Sequence, residues 1–168
     1  MAYYSQDTSV PSVFGSQSPA KVPAPYGSFN IENMDSHGRW IANAIDLVRF
    51  AQSFDNPQQD PVLSPASIDK TFAVPATGMD QGAYYACGWM VRSVGNQGQN
   101  TWHAGGLSGT STLLIRLVGG IDYAVLFDQS DDPSGLSYDD IDDALHTVID
   151  PIQHWPDHDL FPKYNSTS

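Results

Sequence analysis

The run from Trp102 to Leu117 constrains this chain more than any other. Trp102-His103-Ala104-Gly105-Gly106-Leu107-Ser108-Gly109-Thr110 leads without a break into Ser111-Thr112-Leu113-Leu114-Ile115-Arg116-Leu117. A histidine beside small residues, followed by a β-branched and apolar segment, reads as two strand pieces joined by a glycine corner where backbone can approach a ligand. The expected pieces are Thr101 to Gly105 and Thr110 to Leu117. Asp122 to Phe127 adds a strand beyond a turn at Val118-Gly119-Gly120-Ile121. Upstream, Tyr84 to Val94 alternates and is rich in aromatic and β-branched residues, so it is expected as one strand, with Gly95 to Asn100 as a loop. These strands make an antiparallel meander.

Helical periods flank the meander. Ile41, Ala44, Ile45, Val48 and Ala51 recur at helical spacing, with Leu47 and Phe50 widening the face, so the spacing predicts a helix over Trp40 to Gln52. Ser64-Pro65 is a helix start, because the serine oxygen can accept from free N–H groups and proline is tolerated in the first turn; a short helix should run from Pro65 to Phe72. Between Tyr138 and Ile149, apolar Ile141, Leu145, Val148 and Ile149 share a side, and Asp139, Asp140, Asp142 and Asp143 fall where the helix dipole favours negative charge. That helix should cover one sheet face. The expected class is α/β in the α+β sense, an antiparallel sheet meander flanked by helices. An extended lead-in over 1–25 precedes a domain over 26–150, and an irregular tail over 151–168 carries Pro151, Pro156 and Pro162.

Charge narrows the function classes. A net charge of −12 with only seven Lys and Arg argues against a nucleic-acid footprint or an anionic membrane surface. No apolar run reaches transmembrane length, and the polar N-terminus lacks the apolar core of a signal peptide, so a soluble protein of unassigned compartment is expected. The single cysteine, Cys87, rules out an intrachain disulfide and reads as a small buried residue. The aspartates from Asp128 to Asp143 lack the spacing of a calcium loop. His146, His154 and His158, with Asp157 and Asp159, lack that of structural zinc. No metal or cofactor is expected. Asn165-Ser166-Thr167 is a glycosylation sequon of little weight in a terminal tail.

Four segments, in order, carry a resemblance to a known superfamily. They are the helix of Gly38 to Ala51, Leu63-Ser64-Pro65-Ala66-Ser67, Tyr85-Ala86-Cys87-Gly88-Trp89 and His103-Ala104-Gly105. Over roughly Val22 to Ser130 the chain resembles the C-terminal half of the serine β-lactamase, penicillin-binding-protein and related esterase superfamily, in its esterase-like branch. The resemblance implies a partial β-lactamase or transpeptidase-like fold. It makes His103, Gly105 and Gly106 the positions of the strand motif that lines the acyl-enzyme cleft. His103 would orient a substrate carbonyl or carboxylate, and the Gly106 N–H would be the second oxyanion donor.

Serine-acylating relatives also need a serine with a lysine one helical turn later and a Tyr or Ser proton relay. Ser-x-x-Lys occurs as Ser18-Pro19-Ala20-Lys21 and as Ser67-Ile68-Asp69-Lys70, neither where the family places its nucleophile. The first contains a proline in a proline-rich lead-in. The second matches the family's non-catalytic Leu-Ser-Pro-x-Ser segment. Ser28-Phe29-Asn30 imitates a Ser-x-Asn motif too close to Lys21 to span a cleft, and Ser108 reads as a structural hydroxyl at the glycine corner. The expectation is therefore a truncated, catalytically incomplete β-lactamase-related domain lacking the nucleophile half, inactive alone. Its role would be binding or assembly, as a homo-oligomer or with a complementary chain, with a small ester, amide or peptide as ligand. The alternative is a serine hydrolase of esterase, peptidase or β-lactamase type, completed by another chain or by a missing N-terminal region.

Overall fold

The computed structural model describes residues 2–15, 20–35, 37–38, 40–55, 57–58, 62–135, 137 and 140–164. Ser18, the start of the expected last helix at Tyr138, and the sequon at Asn165 lie outside them. The class is α+β, with an antiparallel sheet and, among the described residues, three α-helices. By contacts the chain forms two compact units. One comprises Met1–Arg39, Gly106–Ser111 and Phe127–Ser168, the other Trp40–Gly105 and Thr112–Leu126.

In the first unit, β1 (Val10–Pro11) and β2 (Lys21–Val22) make a two-residue antiparallel ladder. Tyr4 bridges Gln129, with Tyr4 N donating to Asp128 O at 2.8 Å. Helix α3 (Ile141–Ile149) also belongs here and buries none of its residues. The turn at Ser108 and Gly109 requires its glycine twice over. Gly109 has φ +86°, and a Cβ there would sit 2.8 Å from side-chain atoms of Tyr3 and Pro25.

The second unit carries the main core. Its sheet order is β3 (Ala83–Tyr85), β4 (Met90–Ser93), β5 (Gln99–Leu107), β6 (Thr110–Arg116) and β7 (Asp122–Phe127). Register sets Tyr84 beside Val91 and Val91 beside Thr101, three buried side chains in a row across the sheet. Against this row pack α1 (Ala44–Asp55), through Leu47, Ala51 and Phe54, and α2 (Pro65–Thr71), through Ile68 and the following Phe72. The rings of Phe54, Phe72 and Trp89 meet at centroid distances of 5.5 to 6.1 Å, edge-on or tilted, as the aromatic quadrupole favours. Tyr84 Oη donates to Phe72 O at 2.7 Å, satisfying a carbonyl at the end of α2 inside the core. Leu114 and Ile115 are both buried although successive strand residues face opposite ways, so β6 is covered on both faces.

Four expectations need correction. The Tyr84 to Val94 segment is a hairpin and not one strand: Gly88, at φ +81°, closes a turn in which Ala86 N donates to Trp89 O at 2.8 Å. Cys87 sits in that turn and is exposed, not buried. The strand expected to end at Gly105 runs on through Gly106 to Leu107, so the glycine corner before Thr110 narrows to Ser108-Gly109. Helix α1 starts at Ala44 because the Asn43 side chain accepts from Asp46 N at 2.9 Å, a reciprocal cap that Asp46 completes by accepting from Asn43 N at 3.4 Å. Trp40 and Ile41, periodic with the helix but outside it, are 87% and 96% exposed. By contrast, the Ser64 cap of α2, the strand Thr110–Arg116 and the turn closed by Leu117 N to Ile121 O at 2.9 Å lie where the sequence places them.

Candidate functional site

His103 owes its position to strand lengths. Strand β4 begins at Met90, opposite Trp102, so β5 runs on past it from His103. The β4-side edge of β5 at His103, Ala104 and Gly105 has no pairing strand among the described residues. His103 and Ala104 are exposed. Tyr85 closes β3, on the far side of β4, and its hydroxyl lies 3.2 Å from His103 Nδ1. The two side chains meet across the end of β4, with ring centroids 6.0 Å apart.

The glycines divide in their reasons. A Cβ on Gly105 would lie 2.6 Å from Thr112 Oγ1, and that hydroxyl donates to Gly105 O at 3.3 Å, so this glycine makes room for a neighbouring strand. Gly105→Ala is expected to cost roughly 1 kcal/mol by turning the threonine away from its acceptor. In a Thr112→Ala background the same change should cost less or become stabilising, since alanine in a strand orders the unfolded chain more cheaply than glycine. Denaturant melts of the four proteins of this cycle give the answer. Gly106 groups with the other unit; it is exposed and a Cβ there would meet nothing within 4 Å.

The described serine candidates Ser67 and Ser28 are each engaged locally. Ser67 Oγ lies 3.0 Å from Ser64 Oγ, and its N–H donates to Ser64 Oγ at 3.3 Å, so both serines serve the start of α2. Ser28 Oγ donates to Ala24 O at 2.7 Å, which ties it to a local turn. Among the described residues no group of three or more His, Cys, Asp and Glu could hold a metal ion, and no helix is long and apolar enough to cross a membrane.

A second cluster escaped the sequence reading. Arg116, whose side chain is 11% exposed, lies with its guanidinium carbon 5.1 to 5.8 Å from the ring centroids of Phe54, Phe72 and Trp89. It donates to Thr101 Oγ1 at 3.1 Å and closely to Asp55 Oδ1 at the end of α1. Asp122, opening β7, completes the group. Burial first, then the hydrogen bond and charge of Asp55, push its carboxyl from 3.8 to about 7, against the pull of Arg116. The neighbouring Asp55 carboxyl thus favours the protonated form of Asp122, as one acid does when it stands beside another. Among the described residues, Arg116 Nε and Asp122 Oδ1 are buried with no hydrogen-bond partner. The available sequence signal was a lone arginine in the apolar run Leu113 to Leu117, followed by an acid at the head of the next strand.

Comparison of the chain with protein-family models, with curated proteins and with solved structures finds no match in any of the three.

Proposed function

We propose that this chain is a β-lactamase-related domain without a working nucleophile, which binds a small peptide, amide or ester along the β5 edge beginning at His103. The observation that carries this reading is the strand edge that continues past β4 with an exposed histidine at its first free position. An unpaired edge offers backbone donors and acceptors to an extended ligand, and the side chains beside it give selectivity. Acyl transfer would need more. An orienting histidine stabilises a transition state only after attack by an activated nucleophile, and Ser67 is occupied with the Ser64 cap.

The test uses N-acetyl-tetraalanine as the binding probe, with nitrocefin and p-nitrophenyl butyrate as reporters of hydrolysis. Concentration-dependent amide shifts at His103 to Gly105 are expected, together with no hydrolysis of either ester or lactam above a His103→Ala control. Absence of shifts at millimolar peptide would overturn the binding role. Turnover above the control would instead favour a serine hydrolase, and a stoichiometric fluorophosphonate adduct on Ser67, lost in Lys70→Ala, would make Ser67 of this chain its nucleophile.

A further inference from the structure

We propose that Tyr85 is a positioning residue for His103: its hydroxyl donates to Nδ1, holds the ring in the tautomer protonated on Nε2, and so selects ligands that present a carbonyl or carboxylate oxygen to that N–H. The last part rests on the binding reading above. The first part stands on geometry alone.

Only one direction of the Tyr85 and His103 bond is chemically well matched. A phenol is an acidic hydroxyl and a good donor, while its oxygen, conjugated with the ring, is a poor acceptor. A neutral imidazole offers one strongly basic nitrogen and one N–H. The 3.2 Å contact is made to Nδ1. With the phenol donating, Nδ1 must be the bare nitrogen, and the proton goes to Nε2, because the bond made by one ring nitrogen fixes the state of the other. Nε2 has no hydrogen-bond partner among the described residues, which leaves its N–H available to a ligand.

The chain explains why these residues can do this. Tyr85 is the last residue of β3 and is held by the Ala86 to Trp89 turn, so its ring projects from a fixed backbone. His103 is the first β5 residue beyond β4, so no β4 side chain stands opposite it. Both residues are exposed, so the pair contributes little to stability and its consequence is orientation. A ligand offering a donor at this point, such as an ammonium, would meet an N–H and be rejected. One offering an oxygen would be accepted.

The test reads the tautomer directly. Nitrogen-15 spectra of the histidine ring at about pH 8.5, where imidazoles are neutral, should give His103 one pyrrole-like Nε2 and one pyridine-like Nδ1. In Tyr85→Phe, which keeps the ring and removes the hydroxyl, both nitrogens should move toward the averaged shifts of a free imidazole. Affinity for N-acetyl-tetraalanine should fall about three- to tenfold, the worth of one oriented hydrogen bond. Unchanged ring shifts in Tyr85→Phe, or a pyrrole-like Nδ1 in the parent, would overturn the inference whatever the peptide does. Ring shifts that move while neither protein binds the peptide would support Tyr85 as the positioning residue and remove the binding reading instead.

Discussion

Arg116→Ala is expected to lower the free energy of unfolding by about 2–4 kcal/mol, read as a fall in melting temperature of roughly 5–15 °C. Two losses combine. The guanidinium is a plate lying near three aromatic rings, and removing it leaves a gap over Phe54, Phe72 and Trp89 in the main core. Among the described residues it is also the cation that faces Asp55 and Asp122, and a carboxylate left without its counter-charge in a half-buried site is costly. Asp55 is 34% exposed and can recover part of its hydration, so the expected cost stands below that of a fully buried pair.

Packing and charge can be separated. Arg116→Met refills most of the volume and keeps the aromatic contacts, yet leaves the acids unpaired. Arg116→Met combined with Asp122→Asn should therefore be more stable than Arg116→Met alone, because the neutral amide can still donate to Asp55. If the double variant equals the sum of the two single losses, the three residues are not one unit and the cost is packing. Arg116→Lys should fall between parent and alanine: an ammonium keeps the charge but cannot hold Thr101 and Asp55 together with a planar fork.

That cluster marks where sequence reading stopped. Periodicity located α2 and the two strands from Thr110 to Phe127 because each is local: a serine before a proline, alternation, a glycine pair in a turn. It misplaced the start of α1 since Trp40 and Ile41 satisfy the 3.6-residue period as well as any residue does, whereas the helix begins where Asn43 can cap it. It also missed the hairpin at Ala86 to Trp89, because Gly88 lies inside an alternating pattern that reads as one strand until its φ is known. His103 was legible as a strand residue beside glycines. Its partner was not, since Tyr85 lies eighteen residues away and the two meet only through the register that sets Met90 against Trp102. Arg116 and Asp55, 61 residues apart, are joined only by the docking of α1 on the sheet.

The second large effect is a stability that declines as pH rises from acid toward neutrality. Asp122 binds its proton more tightly folded than unfolded, its carboxyl standing near 7 against an ordinary 3.8. Between those values the folded chain keeps a proton that the unfolded chain has released. This contribution is therefore complete below about pH 4, is lost as pH rises through 7, and is level beyond; its slope is at most about 1.4 kcal/mol per pH unit. Other groups act around it. Hydrogen bonds hold Asp131 and Asp132 below the ordinary carboxylate range, so their contribution is present above that range and lost as pH falls through it, which turns the curve downward only in strong acid. His146 is raised, first by its bond to Asp150, and adds a loss that begins above its ordinary 6.5. Urea melts at half-unit pH steps should resolve these windows. Asp122→Asn should flatten the profile between pH 4 and 7, match the parent below about pH 4 and exceed it by a growing margin up to pH 7 and beyond, while His146→Gln should remove slope only above 6.5. A slope between pH 4 and 7 that survives Asp122→Asn would mean that Asp122 does not carry it, and that the growing negative charge of the acidic chain as a whole sets its pH dependence.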